Sequence, residues 1–391
     1  MKILHTAEFY APSRGGAQEV VRQLSELLVQ RGHQVTVATT RLPERRQELL
    51  NGVRVVDFDI RGNAVRGIQG EAERYQEFLL QGDFDVMLNY AAQEWTADLA
   101  FPLLERLAYP AVLVPCGFSA LNAPEYQEYY RHMPDVLRRY QRLVFHASQY
   151  RDIEFARRHG LQRLTIIPNG AAEYEFAAAQ PSFRQRYNLP ASLPLLLTVG
   201  SHTAAKGHRE TIEAFRLARI DRAALVVIGN RIAGRTCYND CWRRALRARG
   251  LSLGRKRVLL LDPPRSEVVA AYQAADLVVF PSNLEYSPLV LFEAMAAGVP
   301  YLSSDCGNAA EITQWGGGGE MLETLPLAGD SVRVDPLILA RAIERLLADP
   351  VRRRALGQTG QSAWRQGFTW EKIALRYEAL YQELAGVRQA V

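Results

Sequence analysis

The sequence predicts an α/β protein of two doubly wound domains, each a parallel sheet with helices on both faces. Apolar strand-like runs alternate with runs of helical period through the whole of the 391 residues, the pattern of repeated βαβ units. That length exceeds what one hydrophobic core usually supports. The alternation also breaks once, in an Ala-, Pro-, Ser- and charge-rich stretch over 177–193. This reads as a linker between a first domain, 1–176, and a second, 194–368, with 369–391 left as a final helix. Loops at the strand C-terminal ends of both domains are then expected to face a shared cleft.

Composition narrows the class. Hydrophobic residues make up 48% and charged residues 23%, ordinary values for a globular chain. The net charge is +5, carried almost entirely by arginine, which suits phosphate-bearing ligands or an anionic membrane surface. Four cysteines (Cys116, Cys237, Cys241, Cys306) are too few and too scattered for a disulfide framework. Cys237 and Cys241 stand four apart on an expected helix with no nearby His partner, so reduced thiols and no metal are expected. The opening MKILHTAEF reads as a strand rather than a signal sequence, and no apolar run approaches bilayer-spanning length. The expected location is the cytoplasm, compatible with peripheral association at the inner face of the membrane. No nucleic-acid partner is expected, and the oligomeric state is left open.

Taken in order, Lys2 to Thr6 is a strand, and Gly15-Gly16 a tight turn before a helix over Gln18 to Gln30 (Val20, Val21, Leu24, Leu27, Leu28). Val35 to Ala38 completes the first βαβ unit. Two D-x-D triplets, Asp57-Phe58-Asp59 and Asp83-Phe84-Asp85, flank the strands Val53 to Val56 and Val86 to Asn89 and read as strand-end acids. Ala111 to Val114 is a buried strand leading into Pro115-Cys116-Gly117. Glu125 to Arg142 is a basic helical region carrying Tyr126, Tyr129 and Tyr130, either a solvated face or an acceptor- or membrane-facing patch. Leu143 to His146 is a strand, Ser148 an expected cap for the helix to His159, and Leu164 to Ile167 the last strand of the half. The second half restarts with strand Pro194 to Val199, loop Gly200 to Gly207, helix Glu210 to Arg219 and strand Ala224 to Ile228. Val258 to Leu261 is a strand, Ser266 an expected cap for Glu267 to Ala274, Gly316 to Gly319 a turn, and Asp335-Pro336 the start of a helix to Ala348.

The richest stretch is VFPSNLEYSPLVLFEAMAAGVPYLSSDCGNAAEI, Val279 to Ile312. The strand Leu277 to Phe280 stops at Pro281-Ser282, and a helix over Leu291 to Ala297 is closed by Gly298 and Pro300. Pro288 falls where a first-turn proline loses no hydrogen bond. The amides of Leu289, Val290 and Leu291 would then point out of the helix as anion-binding donors. Glu285 and Glu293 bracket this end, and acids beside an anion site suit sugar hydroxyls. Alternatively the unit is a plain strand–loop–helix with Glu285 solvated and Glu293 placed by the helix dipole.

Pro281-Ser282, Glu285, Leu289, Glu293-Ala294-Met295-Ala296, Gly298 and Pro300 resemble the E-x7-E signature of retaining, nucleotide-sugar-dependent glycosyltransferases of family 4, with the two-domain GT-B fold. Tyr286, Ser287 and Pro288 replace that family's usual Gly-Phe-Gly. Gly15-Gly16 resembles its first glycine loop, whose amides approach the donor phosphate or the acceptor. Lys206 matches the lysine of G-R-L-x-x-x-K-G, which clamps the diphosphate, while Ser201 stands at the arginine; His202 or Arg231 could compensate. Cys116 stands where relatives carry the histidine of a His-Gly pair, and Gly229-Asn230 where they have G-D-G. Pro168-Asn169-Gly170 resembles the family's hinge, Asp262-Pro263-Pro264 the loop near the nucleotide base, and Phe368-Thr369-Trp370-Glu371 the lead into a last helix that crosses back to the first domain.

The resemblance implies a metal-independent hexosyltransferase with no cofactor, using a UDP- or GDP-linked sugar as co-substrate and a glycan or lipid-linked acceptor. Glu285 and Lys206 would be catalytic. Gly15, Gly16, Ser201, Asn230, Tyr286, Ser287, Leu289, Val290 and Glu293 would bind donor, with Cys116, His202 and Arg231 in less defined roles. A non-catalytic nucleotide-sugar-binding protein and a GT-B phosphorylase or epimerase are the competing expectations.

Overall fold

The structure, a computed structural model, describes every residue except 179–181, 232, 233, 235, 328, 330, 390 and 391. It divides into two units, Met1–Asn169 with Trp370–Val391, and Gly170–Thr369.

In the first unit seven parallel strands run in the order β7-β6-β5-β4-β1-β2-β3. They are β1 (Lys2–Thr6), β2 (Gln34–Thr40), β3 (Val53–Phe58), β4 (Val86–Tyr90), β5 (Ala111–Val114), β6 (Arg142–Phe145) and β7 (Leu164–Ile166). A two-residue strand, Leu49–Leu50, adds antiparallel to β3 at the edge. Helix α1 (Gly16–Gln30) follows β1 and turns Val20, Val21, Leu24 and Leu28 inward, as its period predicts. β4 and β5 are buried along their full length; β5 therefore reads as an unbroken apolar run, while β4 admits Asn89, whose amide bonds Thr6 and Tyr140.

The second unit repeats the plan with six parallel strands in the order β10-β9-β8-β11-β12-β13. These are β8 (Leu195–Val199), β9 (Ala223–Ile228), β10 (Lys256–Leu261), β11 (Leu277–Phe280), β12 (Tyr301–Ser304) and β13 (Gly319–Leu322). Its helices include α2 (His208–Leu217), α3 (Tyr238–Leu251), α4 (Leu289–Ala297) and α5 (Pro350–Gly367). Strand order reverses between β1 and β4 in one unit and between β8 and β11 in the other. Loops diverge at such a point and leave a crevice at the strand C-terminal ends.

Several elements differ from the pattern the sequence predicts. The stretch 177–193 carries Phe183, Leu189 and Leu193 into the core of the second unit, while its residues 179–181 lie outside the described residues. Ser148 and Ser266 do not cap: Tyr150 and Pro264 hold those positions. Helix α5 has no apolar signature in the sequence, because it buries only Gly357, Gly360 and Trp364. A Cβ at Gly357 would stand 2.1 Å from the Gly298 carbonyl oxygen, so α5 packs by close backbone approach rather than an apolar stripe.

The final helix, α6 (Trp370–Gln389), belongs to the first unit and packs on α1. Glu378 accepts from Arg31 at 2.6 Å and pairs with His33 at 2.7 Å, and Tyr381 hydroxyl meets the buried His5 ring at 3.2 Å. Burial pushes His5 down to about 3, so it is held as a neutral ring between Ser25 and Tyr381.

Candidate functional site

The second unit builds its site at the reversal between β8 and β11. The loop after β8 (200–207) and the loop after β11 (281–288) are tied backbone to backbone. Asn283 N–H donates to Ala205 C=O at 2.7 Å, and Ser282 Oγ donates to the same carbonyl at 3.0 Å. Gly207 closes the first loop at φ +66°, and a Cβ there would lie 1.9 Å from the Pro281 carbonyl oxygen. Only glycine permits both the left-handed turn and that approach. This interlock brings Lys206 Nζ to 2.6 Å from Glu285 Oε1, which also accepts from Ser282 Oγ at 2.8 Å. The pair is only partly solvated, with side chains 28% and 11% exposed.

Helix α4 begins at Leu289 with Pro288 as its flanking residue rather than its first-turn proline. The Leu291 N–H, expected among the outward donors, instead closes on the Pro288 carbonyl at 3.4 Å. Leu289 and Val290 remain as the half-buried first-turn amides. Tyr286 and Ser287 lie in the loop before them, the Tyr286 carbonyl accepting from Asn308 N–H at 2.8 Å. Glu293, buried inside α4, pairs with Arg265 at 2.5 Å, and Arg265 also holds Glu175 at 2.6 Å. Burial raises the Glu293 carboxyl above its usual range despite the Arg265 guanidinium and Tyr272 hydroxyl, which pull the other way.

Ser201 and Asn230 sit half-buried on adjoining loops, where Asn230 C=O accepts from His202 N–H at 2.8 Å. His202 is fully buried, its ring against His208 and Tyr238. It therefore has no surface to offer a phosphate in place of the missing arginine. Arg231 is exposed, its guanidinium 3.4 Å above the Tyr238 ring. The reading of Cys237 and Cys241 as thiols without a histidine partner is overturned: both lie beside His202 and His208. The histidines are remote in sequence and arrive because α2 and α3 start next to the β8 loop.

The first unit carries a separate pocket at its own reversal, between the loops after β1 and β4. It holds about 510 Å³ and is lined by Glu8, Asn63, Arg66, Glu94, Cys116 and Tyr126, among others. Glu8 N–H donates to Glu94 Oε2 at 3.0 Å. Enclosure, and then the Glu8 carboxylate, push Glu94 up to about 8; Glu8 itself is raised by burial and by Asp98. Neither acid stands out in the sequence, since only the parallel pairing of β1 with β4 brings them together. Four non-glycine residues lining the pocket, Ala91, Gln93, Cys116 and Ala120, have φ of 73°, 65°, 60° and 56°. Such strained backbone concentrates at functional loops. Burial raises the Cys116 thiol to about 12, so it is neutral and no substitute for an imidazole.

Gly15 and Gly16 are exposed at the start of α1, with open space beside Gly16. Both D-x-D triplets are engaged structurally. Asp57 pairs with Arg41 at 3.3 Å, and Lys2 pairs with Asp83 at 2.5 Å while its N–H donates to Asp85. Tyr126 and Tyr130 are buried and Tyr129 donates to Asp98, so the aromatics of this region turn inward, while Arg131, Arg138 and Arg139 stay exposed, as in the reading of a solvated face. Among the described residues, no helix is long and apolar enough to cross a membrane.

Comparison with known proteins gives consistent matches. Residues 14–172 match the model for Glycosyltransferase Family 4, and residues 179–363 that for Glycosyl transferases group 1. The chain is 25% identical to the D-inositol 3-phosphate glycosyltransferase of Xylanimonas cellulosilytica, covering 100% of this chain and 97% of that one. It is 23% identical to the N-acetyl-alpha-D-glucosaminyl L-malate synthase of Bacillus anthracis, over 95% of each. Among solved structures, sucrose-phosphate synthase from Thermosynechococcus elongatus aligns with TM-score 0.79 at 22% identity, over 99% of both chains. Anabaena HepE in complex with UDP-glucose aligns with TM-score 0.75 at 16% identity, over 98% and 100%. At such identities the structural likeness speaks to the fold.

Proposed function

The chain is a glycosyltransferase of the GT-B fold, and on that footing we propose that it moves a sugar, with retention, from a nucleoside diphosphate to an acceptor hydroxyl in glycan, glycolipid or surface-polysaccharide synthesis. The observation that carries the reading is the Lys206–Glu285 contact of 2.6 Å at the strand reversal of the second unit. A cation and a carboxylate held side by side there match the two halves of a sugar diphosphate: phosphate for the ammonium, hydroxyls for the acid. The Leu289 and Val290 amides would add neutral donors to the phosphate. Glu293, already fixed by Arg265, would take the ribose hydroxyls. Ser201, Asn230, Tyr286 and Ser287 would line the donor, with UDP or GDP as the carrier.

The chemistry follows a front-face route. The bond between the sugar's anomeric carbon and the β-phosphate oxygen breaks, and its electron pair goes to that oxygen. The acceptor oxygen bonds to the same face of the carbon, and its proton passes to the released β-phosphate oxygen. Lys206 would stabilise the charge growing on the leaving group, the largest demand of such a step. No metal is assigned to the reaction, and no histidine at Cys116 is required. The pocket of the first unit, rich in carboxyl and amide groups, suits a polyhydroxylated acceptor.

The test is to incubate the full chain with UDP-, GDP- and ADP-sugars and follow release of free nucleotide with and without candidate acceptors. Release from one carrier is expected, falling by about 10²–10³-fold in Lys206→Ala and clearly in Glu293→Ala. Saturable binding without release would favour a binding protein, and near wild-type rates in both variants would end these assignments.

A further inference from the structure

One buried cluster beside the Lys206 loop takes no part in the transfer chemistry. His202, at the start of the loop that carries Lys206, and His208, the first residue of α2, face Cys237 and Cys241 at the start of α3. All four are buried, at 0%, 1%, 3% and 0% exposure. The two Nδ1 atoms are 3.3 Å apart, the two Sγ atoms 3.6 Å, and Cys237 Sγ lies 3.9 Å from His202 Nδ1. The four donor atoms lie within 4.8 Å of one another. A tetrahedral zinc with Zn–S near 2.3 Å and Zn–N near 2.0–2.1 Å requires edges of about 3.8 Å for S···S, about 3.3 Å for N···N and about 3.6 Å for S···N. Three of the six edges lie within about 0.3 Å of those values, and the spread of up to 4.8 Å across the set would close by about 1 Å around an ion.

We propose that His202, His208, Cys237 and Cys241 form a structural zinc site that clamps both ends of the Lys206 loop. Two thiolates and two imidazoles are the donor set zinc prefers, and four protein ligands close its shell, leaving no position for substrate. The site is therefore a brace rather than a reaction centre. The outward Nε2 atoms of both rings have no partner among the described residues, so the polar contacts of the cluster are directed inward. Lys206 lies between the two histidine ligands, four residues after one and two before the other. A bound metal would thus set the position of its ammonium without touching it.

The experiment is metal analysis of the full chain purified without chelator, followed by stripping and titration with Co²⁺. One zinc per chain is expected, with a cobalt–thiolate charge-transfer band and a tetrahedral d–d envelope that one equivalent of zinc abolishes. The stripped protein should unfold at lower temperature and recover with zinc. Cys237→Ser combined with Cys241→Ser should lose the metal and the band. Should that variant fail to fold, the spectrum of the reconstituted wild-type chain decides alone. No stoichiometric metal and no thiolate band in the reduced wild-type protein would overturn the proposal. So would a band that survives in the double variant, or a Cys237–Cys241 disulfide as the stable form of the fresh protein.

Discussion

If Lys206 holds the donor pyrophosphate as proposed, Glu285 competes with that ligand for the same cation. At 2.6 Å the gross attraction between Lys206 and Glu285 is about 6 kcal/mol for an effective dielectric near 20. Most of this is offset by desolvation, since both side chains are largely withdrawn from water. Removing the competing charge with Glu285→Gln keeps the hydrogen-bonding shape and releases Lys206. A net gain of about 1–2 kcal/mol is expected for the free nucleoside diphosphate, roughly 5–30-fold tighter binding. Transfer should move the opposite way, falling by about 10²–10³-fold, because the sugar loses its carboxylate. Titration calorimetry with the carrier nucleotide measures the first effect, and turnover with its sugar conjugate the second. The gain should disappear on a Lys206→Ala background, as a double-mutant cycle requires of two residues acting on one phosphate. Nucleotide binding that is unchanged or weaker in Glu285→Gln would refute the placement of Lys206 at the diphosphate.

Two further outcomes are expected. Gly207→Ala must place a Cβ 1.9 Å from the Pro281 carbonyl oxygen in a left-handed turn. It should lose at least about 2 kcal/mol in urea unfolding, whereas Gly16→Ala, with open space beside it, should not be destabilised. Glu94, raised from 4.5 to about 8, binds its proton more tightly folded than unfolded. Its contribution is complete below the unfolded value and is lost as pH rises toward 8, at most about 1.4 kcal/mol per pH unit. Glu94→Gln removes that slope, so the urea midpoint of the variant should gain on the wild type between pH 5 and 8; parallel profiles would contradict the raised carboxyl.

Much of the fold is legible in the sequence, as are the two residues that meet at the candidate site, and the parts that are not share a cause. Strands β5 and β9 announce themselves as continuous apolar runs, and Lys206 and Glu285 stand out through their motifs. Proximity created by the sheet is a different matter. Glu8 and Glu94 are neighbours only because β1 and β4 pair, and the four sulfur and nitrogen donors meet only because two helices start beside one loop. Spacing along the chain carries no trace of the first, and of the second only the two cysteines four apart. Helix α5 is hidden for a local reason: its contact face is glycine, so the periodicity that betrays other helices is missing.

The placement of α6 bears on how the protein is made. The second unit is one continuous segment and can finish folding as soon as it clears the ribosome. The first unit is translated earlier yet must wait for the last stretch of chain to cover α1 and seal the Glu378 and Tyr381 contacts. During synthesis the older half is thus the unfinished one, and a ribosome stalled before Trp370 would release a chain with the flank of α1 bare to chaperones and proteases.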